Sequence, residues 1–210
     1  MSRKTVQTIV ALSRSASPGP TPAFDAVHVS RAVGAIGDQG PVGRIELAKK
    51  LGLGEGAVRT IIKHLTARNF VDAEKAGCVL TPRGRMLYKS LRSKISEIQP
   101  VDARQLALDS ANAGVLIKNS GGMVRRGIEQ RDAAIRAGAT GACTLVYRNG
   151  KLTMPKGEKE EWSLSSHDPL FEDLGKIFAP REGDVIIIAG ATNIGLAEHC
   201  AMAAALTLLE

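Results

Sequence analysis

The feature that most constrains this chain is a short break, Gly52-Leu53-Gly54, set between two segments of helical periodicity. Before it, in GRIELAKKL, the residues Ile45, Leu47 and Leu51 form an apolar edge. After it, Val58, Ile61, Ile62 and Leu65 recur on one face of a helix expected from Glu55 to about Asn69. A break this short permits only a tight turn, so the two helices must pack against each other. On a wheel of about 100° per residue, Gly56, Arg59, Thr60, Lys63 and Ala67 point away from the apolar face. A small residue with two cations beside it leaves a surface able to approach a groove closely.

The chain then gives Phe70-Val71, a polar reversal at Lys75-Ala76-Gly77, and Cys78-Val79-Leu80, the pattern of a two-stranded hairpin. Thr81-Pro82 opens a further helix, with Thr as N-cap and Pro at the first helical position. Upstream, Ala23 to about Ile36 reads as a helix with Phe24, Val27, Val33 and Ile36 apolar. This order of parts, ending in LTPRGR, resembles the winged-helix variant of the helix-turn-helix over roughly Ala23 to Ile95.

That resemblance implies double-stranded DNA as partner, with the second helix in the major groove and phosphates held by its flanks and the wing. The implied contact residues are Glu55, Gly56, Arg59, Thr60, Lys63, His64 and Arg68 on the helix, Lys75 in the wing, and Arg83. The bland alternatives are a winged helix used for protein contacts and a basic face that is merely solvated, with His64 as ordinary surface.

Charge bears on that choice. Residues 1–99 hold 16 Lys and Arg against 7 Asp and Glu, whereas residues 100–210 hold 12 against 14, so the whole basic excess sits in the first half. Such asymmetry points to a polyanion for that half. Cys78, Cys143 and Cys200 are far apart and in no ligand spacing, which argues against a disulfide framework or a metal site and for a reducing cytoplasm. No stretch is long and apolar enough to span a membrane. The beginning, MSRKTVQTIVALSRSASPGP, mimics a weak signal peptide, but its apolar run is short and interrupted. Residues 1–22 are expected to be a flexible leader, with Arg3, Lys4 and Arg14 as an arm for phosphates or an inert tail.

From Pro82 to Ile98 the stripe Met86, Leu87, Leu91, Ile95, Ile98 describes one long amphipathic helix, either a seam for a homodimer or the second domain or a face packed on its own domain. Gln99-Pro100 marks the expected boundary between a DNA-binding domain (23–98) and a sensing or dimerisation domain (101–210). In the latter, Gly114–Lys118, Ala142–Tyr147, Leu152–Met154 and Asp184–Ala189 read as strands, the second and third joined by an Asn149-Gly150 hairpin. Helices are expected over Met123–Ala137, Pro169–Phe178 and from Gly195 to Leu209, with a polar loop over 155–168 containing Glu158, Glu160, Glu161 and Trp162. Within the first, Val124, Ile128 and Ile135 mark the inner face with Arg131 among them, and Asp132 and Arg136 form a surface pair.

The order predicts an α+β class: a winged helix followed by a ferredoxin-like sandwich with an extra C-terminal helix. GIEQRDAAIRAGATGA and the final strand with its Ala-rich helix resemble a domain of unknown function that follows winged helices in archaeal regulators.

Two small, polar loops join strands to helices. Asn119-Ser120-Gly121-Gly122, with Arg131 nearby, and the loop holding Thr192 and Asn193 are candidate sites for a small-molecule effector, or simply turns and caps. In a ferredoxin-like sheet they lie at opposite ends, whereas a doubly wound parallel sheet brings them together. No cofactor or metal is expected, and no catalytic set: Glu198, His199 and Cys200 are consecutive, and consecutive helical residues point apart. Three classes stay open, a transcriptional regulator, a protein-assembly module and an enzyme with an appended winged helix. The charge split favours the first.

Overall fold

The computed structural model describes residues 3–14, 22–106, 108–155, 162–164 and 167–209. The chain divides into two compact units, Met1–Ser93 and Lys94–Glu210.

The first unit begins with a helix, α1 (Arg3–Ser13), where the sequence suggested a flexible leader. Val6, Ile9 and Leu12 recur three residues apart and are buried, packing α1 on the helices that follow. Thr5 Oγ1 and Ser90 Oγ share a hydrogen bond of 2.8 Å. A three-residue apolar edge is enough for order when a prepared surface receives it. The Ser-Pro-Gly-Pro stretch lies outside the described residues.

Next come α2 (Ala26–Gln39), α3 (Arg44–Leu51) and α4 (Glu55–Ala67), then a hairpin of β1 (Val71–Glu74) and β2 (Gly77–Leu80), then α5 (Pro82–Arg92). Asp25 caps α2 by accepting from the His28 amide at 3.1 Å. Thr81 caps α5 by accepting from Gly84 N at 3.0 Å, and its hydroxyl donates to Asn69 O at 2.7 Å. That residue ties the start of α5 to the end of the α4 segment. Leu47, Val58, Ile61, Leu65 and Leu91 meet in the core with no measurable exposure. Ile45 is 58 % exposed and takes no part; Ala48 supplies the inner face instead.

The long helix expected to Ile98 stops at Arg92, with Ser93 as its C-cap. Ile95 instead forms a bridge with Ile117. Lys118 N donates to Lys94 O at 2.8 Å and Ser96 N to Leu116 O at 2.9 Å. A sheet edge whose backbone groups need partners competes here with helix continuation, and the ladder wins. The stripe Leu87, Leu91, Ile95, Ile98 is therefore divided between two units, and its first three residues are buried. Met86, assigned to it, is exposed.

The second unit is built on a six-stranded sheet in the order β3-β4-β8-β5-β6-β7, antiparallel throughout. The strands are β3 (Gln99–Pro100), β4 (Ala111–Ile117), β5 (Gly141–Arg148), β6 (Lys151–Met154), β7 (Trp162–Leu164) and β8 (Val185–Ala191). The helices are α6 (Ile128–Arg136), α7 (Pro169–Phe178) and α8 (Ile194–Leu206). An α+β unit closed by a C-terminal helix is thus present, with β4 and β8 adjacent and antiparallel as expected.

The strand order is not ferredoxin-like, however: β8 lies between β4 and β5, where that fold sets the first strand between the third and fourth. The cause lies in the segment read as polar loop, since Trp162–Leu164 pairs with β6 and reverses the chain. As a result α7 joins two antiparallel strands, and the handedness that governs parallel crossovers does not bind it. Leu170 and Leu174 of α7 pack with Leu116, Leu145, Ile186 and Ile188 on one face of the sheet. Ala197 of α8 packs with Ala113 and Ala191 on the other, where α6 also lies against α8 and β5.

Candidate nucleic-acid interface

The turn between α3 and α4 depends on glycine. Gly52 caps α3 in the left-handed region (φ 68°), and Leu53 N returns to Ala48 O at 3.1 Å, which ends the helix within one residue. Gly54 then starts α4 without a side-chain cap. Burial of Val58, Ile61 and Leu65 fixes the rotation of α4, and Gly56, Arg59 and Lys63 face solvent as the sequence reading placed them. A Cβ built on Gly56 meets nothing within 4 Å. Among the described residues Arg59 and Lys63 have neither an ion pair nor a hydrogen-bonded partner, so their charge is available to a ligand.

Other members of the expected set are already engaged. Glu55, in the first turn of α4, pairs with Arg44 at 3.4 Å, which offsets a carboxylate that would repel phosphate. Its place at a helix start is favourable by itself. Thr60 donates to Gly56 O at 3.1 Å. His64 is turned aside: its ring meets Phe24 edge-on at 5.7 Å, and Nδ1 lies 3.0 Å from Leu12 O. Contact with α1, a helix absent from the sequence reading, thus makes His64 a packing residue. Arg68 is the half-buried C-cap of α4. The guanidinium of Arg83 stacks 4.6 Å above the Phe70 ring and stays exposed.

The wing stands beside α4. Its base is pinned where Cys78 N donates to Val42 O at 2.8 Å and Val42 N donates to Cys78 O at 3.1 Å. Gly77 (φ 135°) permits the approach, since a Cβ there would lie 2.7 Å from the Val42 carbonyl carbon. Between wing and helix runs a groove of about 320 Å³ lined by Arg44, Arg59, Ile62, Glu74, Lys75 and Cys78, among others. Three cations against one carboxylate line it. Arg44 lies on α3, so the periodicity of α4 alone does not reveal it. Burial raises the Cys78 thiol above its ordinary value and pushes Cys143 up to about 12, so both are protonated at neutral pH.

The loops of the second unit behave differently from expectation. Asn119–Gly122 and Thr192-Asn193 follow β4 and β8 at opposite ends of an antiparallel pair, as the hairpin argument required. Two amides of the first loop are used internally: Asn119 N donates to Asp184 Oδ1 and Gly121 N to Gly183 O, both at 2.8 Å. Arg148 Nη2 donates to Gly121 O at 3.2 Å, and Ser120 Oγ to Lys118 O at 3.1 Å. Gly121 and Ser120 are buried, whereas Gly122 is exposed. The loop does not open α6, which starts at Ile128 behind Gly127.

The rotation of α6 also differs. Gln130 and Ala134 face inward, and Arg131 and Asp132 are exposed together with Ile128 (49 %) and Ile135 (39 %). No ion pair joins Asp132 to Arg136 among the described residues. Asn193 caps α8 by accepting from Leu196 N at 3.0 Å, and Thr192 is exposed beside it.

Comparison with known proteins places these features. Residues 31–95 match the model of the CggR N-terminal DNA binding domain, and residues 108–208 match a domain of unknown function, DUF4443. The chain therefore carries a DNA-binding domain followed by that domain. Among solved structures, hypothetical protein PH0730 from Pyrococcus horikoshii OT3 is similar in fold, with a TM-score of 0.67 at 24 % identity over 88 % of this chain and 92 % of that one. No curated protein matches significantly. No helix among the described residues is long and apolar enough to cross a membrane.

Proposed function

We propose that the chain is a transcriptional regulator in which α4 enters the major groove of duplex DNA while the wing grips the flanking backbone. The observation that carries this reading is the coincidence, on one side of the first unit, of an open Gly56, unpartnered Arg59 and Lys63, and the Arg44–Lys75 groove. A helix that docks in a groove about 12 Å wide needs a low, cationic face, and phosphate contacts beside it set its register. Arg83, exposed over Phe70, and Arg68, at the end of α4, are assigned supporting phosphate contacts. His64 has no part in it.

The second unit is read as the part that brings two copies of the chain together, so that paired winged helices meet paired half-sites. The Asn119 and Gly121 amides are already spent on Asp184 Oδ1 and Gly183 O, so the reading assigns no effector to that loop.

Selection from a randomised duplex pool, followed by hydrogen exchange on the selected complex, tests the assignment. Protection concentrated on residues 55–63 and 73–78 supports it. Enrichment of no sequence, or protection confined to other surfaces, removes it and favours the assembly module.

A further inference from the structure

α6 buries Gln130 and Ala134, with Gln130 Nε2 donating to Thr207 Oγ1 at 2.9 Å. Its opposite face carries Ile128, Arg131, Asp132 and Ile135, spaced i, i+3, i+4 and i+7, all of them solvent-exposed. Two isoleucines, 49 % and 39 % exposed, thus flank this side of a nine-residue helix. Between them stand two opposite charges without ion-pair partners among the described residues.

We infer that this face of α6 is the contact through which two copies of the chain pair, antiparallel and about a two-fold axis between Arg131 and Asp132. The inference rests on the proposed regulator only in supplying the dimer which that reading calls for. A two-fold contact must be self-complementary, and this face satisfies the requirement residue by residue. With the axis placed so, Ile128 meets the partner's Ile135 and Arg131 meets the partner's Asp132. Symmetry repeats each contact, giving two apolar pairs outside and two ion pairs at the centre. Ala134 takes the buried position on α6, and Ile128 and Ile135 keep 49 % and 39 % of their surface turned outward.

The same pairing rule makes the test specific. In Arg131→Asp and in Asp132→Arg, each central pair becomes a like-charge pair, and both are present twice. Each single reversal should weaken dimerisation of the full chain by at least about tenfold in sedimentation equilibrium. The double reversal restores opposite charges across the axis and should return affinity to within about threefold of the original. Ile135→Glu should give a monomer whose melting temperature matches that of the original chain at a concentration where both are monomeric. A monomeric original chain at about 100 µM would overturn the proposal. So would a dimer unmoved by Ile135→Glu, or a double reversal no tighter than the single ones.

Binding of the Ile135→Glu monomer to a duplex with one half-site keeps this separate from the regulator reading. Unchanged half-site affinity with no dimer in any form sinks the interface alone. A dimer that obeys the charge rule but ignores DNA sinks the regulator alone.

Discussion

Gly56→Ala separates stability from function. Gly56 lies in the first turn of α4 in helical conformation, and a Cβ there meets nothing within 4 Å. The folded state accepts the methyl without cost, while the unfolded chain loses conformational freedom. Alanine should then stabilise the unit by at most about 1 kcal/mol. For a domain of this size that corresponds to a rise in melting temperature of up to roughly 4–8 °C. On DNA the sign reverses, because the methyl stands between the helix and the groove. The loss of one good contact, about 1.4 kcal/mol or more, is about tenfold in affinity. Thermal unfolding by circular dichroism and fluorescence anisotropy on a labelled duplex read the two effects on one sample. A variant that is more stable and binds as before would show that Gly56 does not face the groove. A variant that is less stable would show that the position is not open.

Further expectations follow from the same geometry. Arg59→Ala with Lys63→Ala should leave stability within about 0.5 kcal/mol, as for exposed unpaired residues, while the logarithmic salt slope of DNA binding falls by about 1.8. Gly84→Ala places a Cβ 1.9 Å from Phe70 O, so the base of the wing must shift. The cost should exceed about 3 kcal/mol, seen as early thermal unfolding of the first unit. Thr81→Ala removes both the α5 cap and the donor to Asn69 O, and should cost about 1–2 kcal/mol in denaturant unfolding.

Asp109 accepts from the Thr140 hydroxyl and from the Ser110 amide, and its pKa is lowered accordingly. A depressed carboxyl contributes stability above its unfolded value and loses it as pH falls through the folded one. Asp109→Asn should therefore lower the melting temperature at neutral pH, and the deficit should close in acid.

The first unit was legible because its information is local. Two glycines force the turn, three apolar residues rotate α4, and Thr81-Pro82 stops the wing. What escaped there was tertiary: α1 shows only Val6, Ile9 and Leu12 as an apolar edge, and only its docking turns His64 from the outward side of α4 to a packing role. Ile95 continued the helical spacing perfectly well, yet the edge of β4 claimed its backbone.

In the second unit the Asn149-Gly150 turn and the apolar runs located the main strands, and the hairpin correctly separated the two small loops. Strand order was out of reach, because a three-residue strand at Trp162 decides it and reads as polar loop. α6 misled for a related reason: isoleucines were assigned inward, whereas close packing on an alanine-rich neighbour favours Ala134 and sends Ile128 and Ile135 out. Arg131 moved with them, from a supposed effector clamp to an exposed helix face.

On the proposed reading the first unit holds duplex DNA through phosphates and a groove-facing helix. The most direct measurement is the affinity of the full chain for its selected duplex across a salt series. If Arg59, Lys63 and Lys75 each displace a counterion, the logarithmic slope is about −2.7 or steeper, and affinity falls at least about 40-fold from roughly 50 to roughly 200 mM salt. Affinity that stays flat over that range, or no binding at its low end, would show that this unit does not hold DNA through these cations.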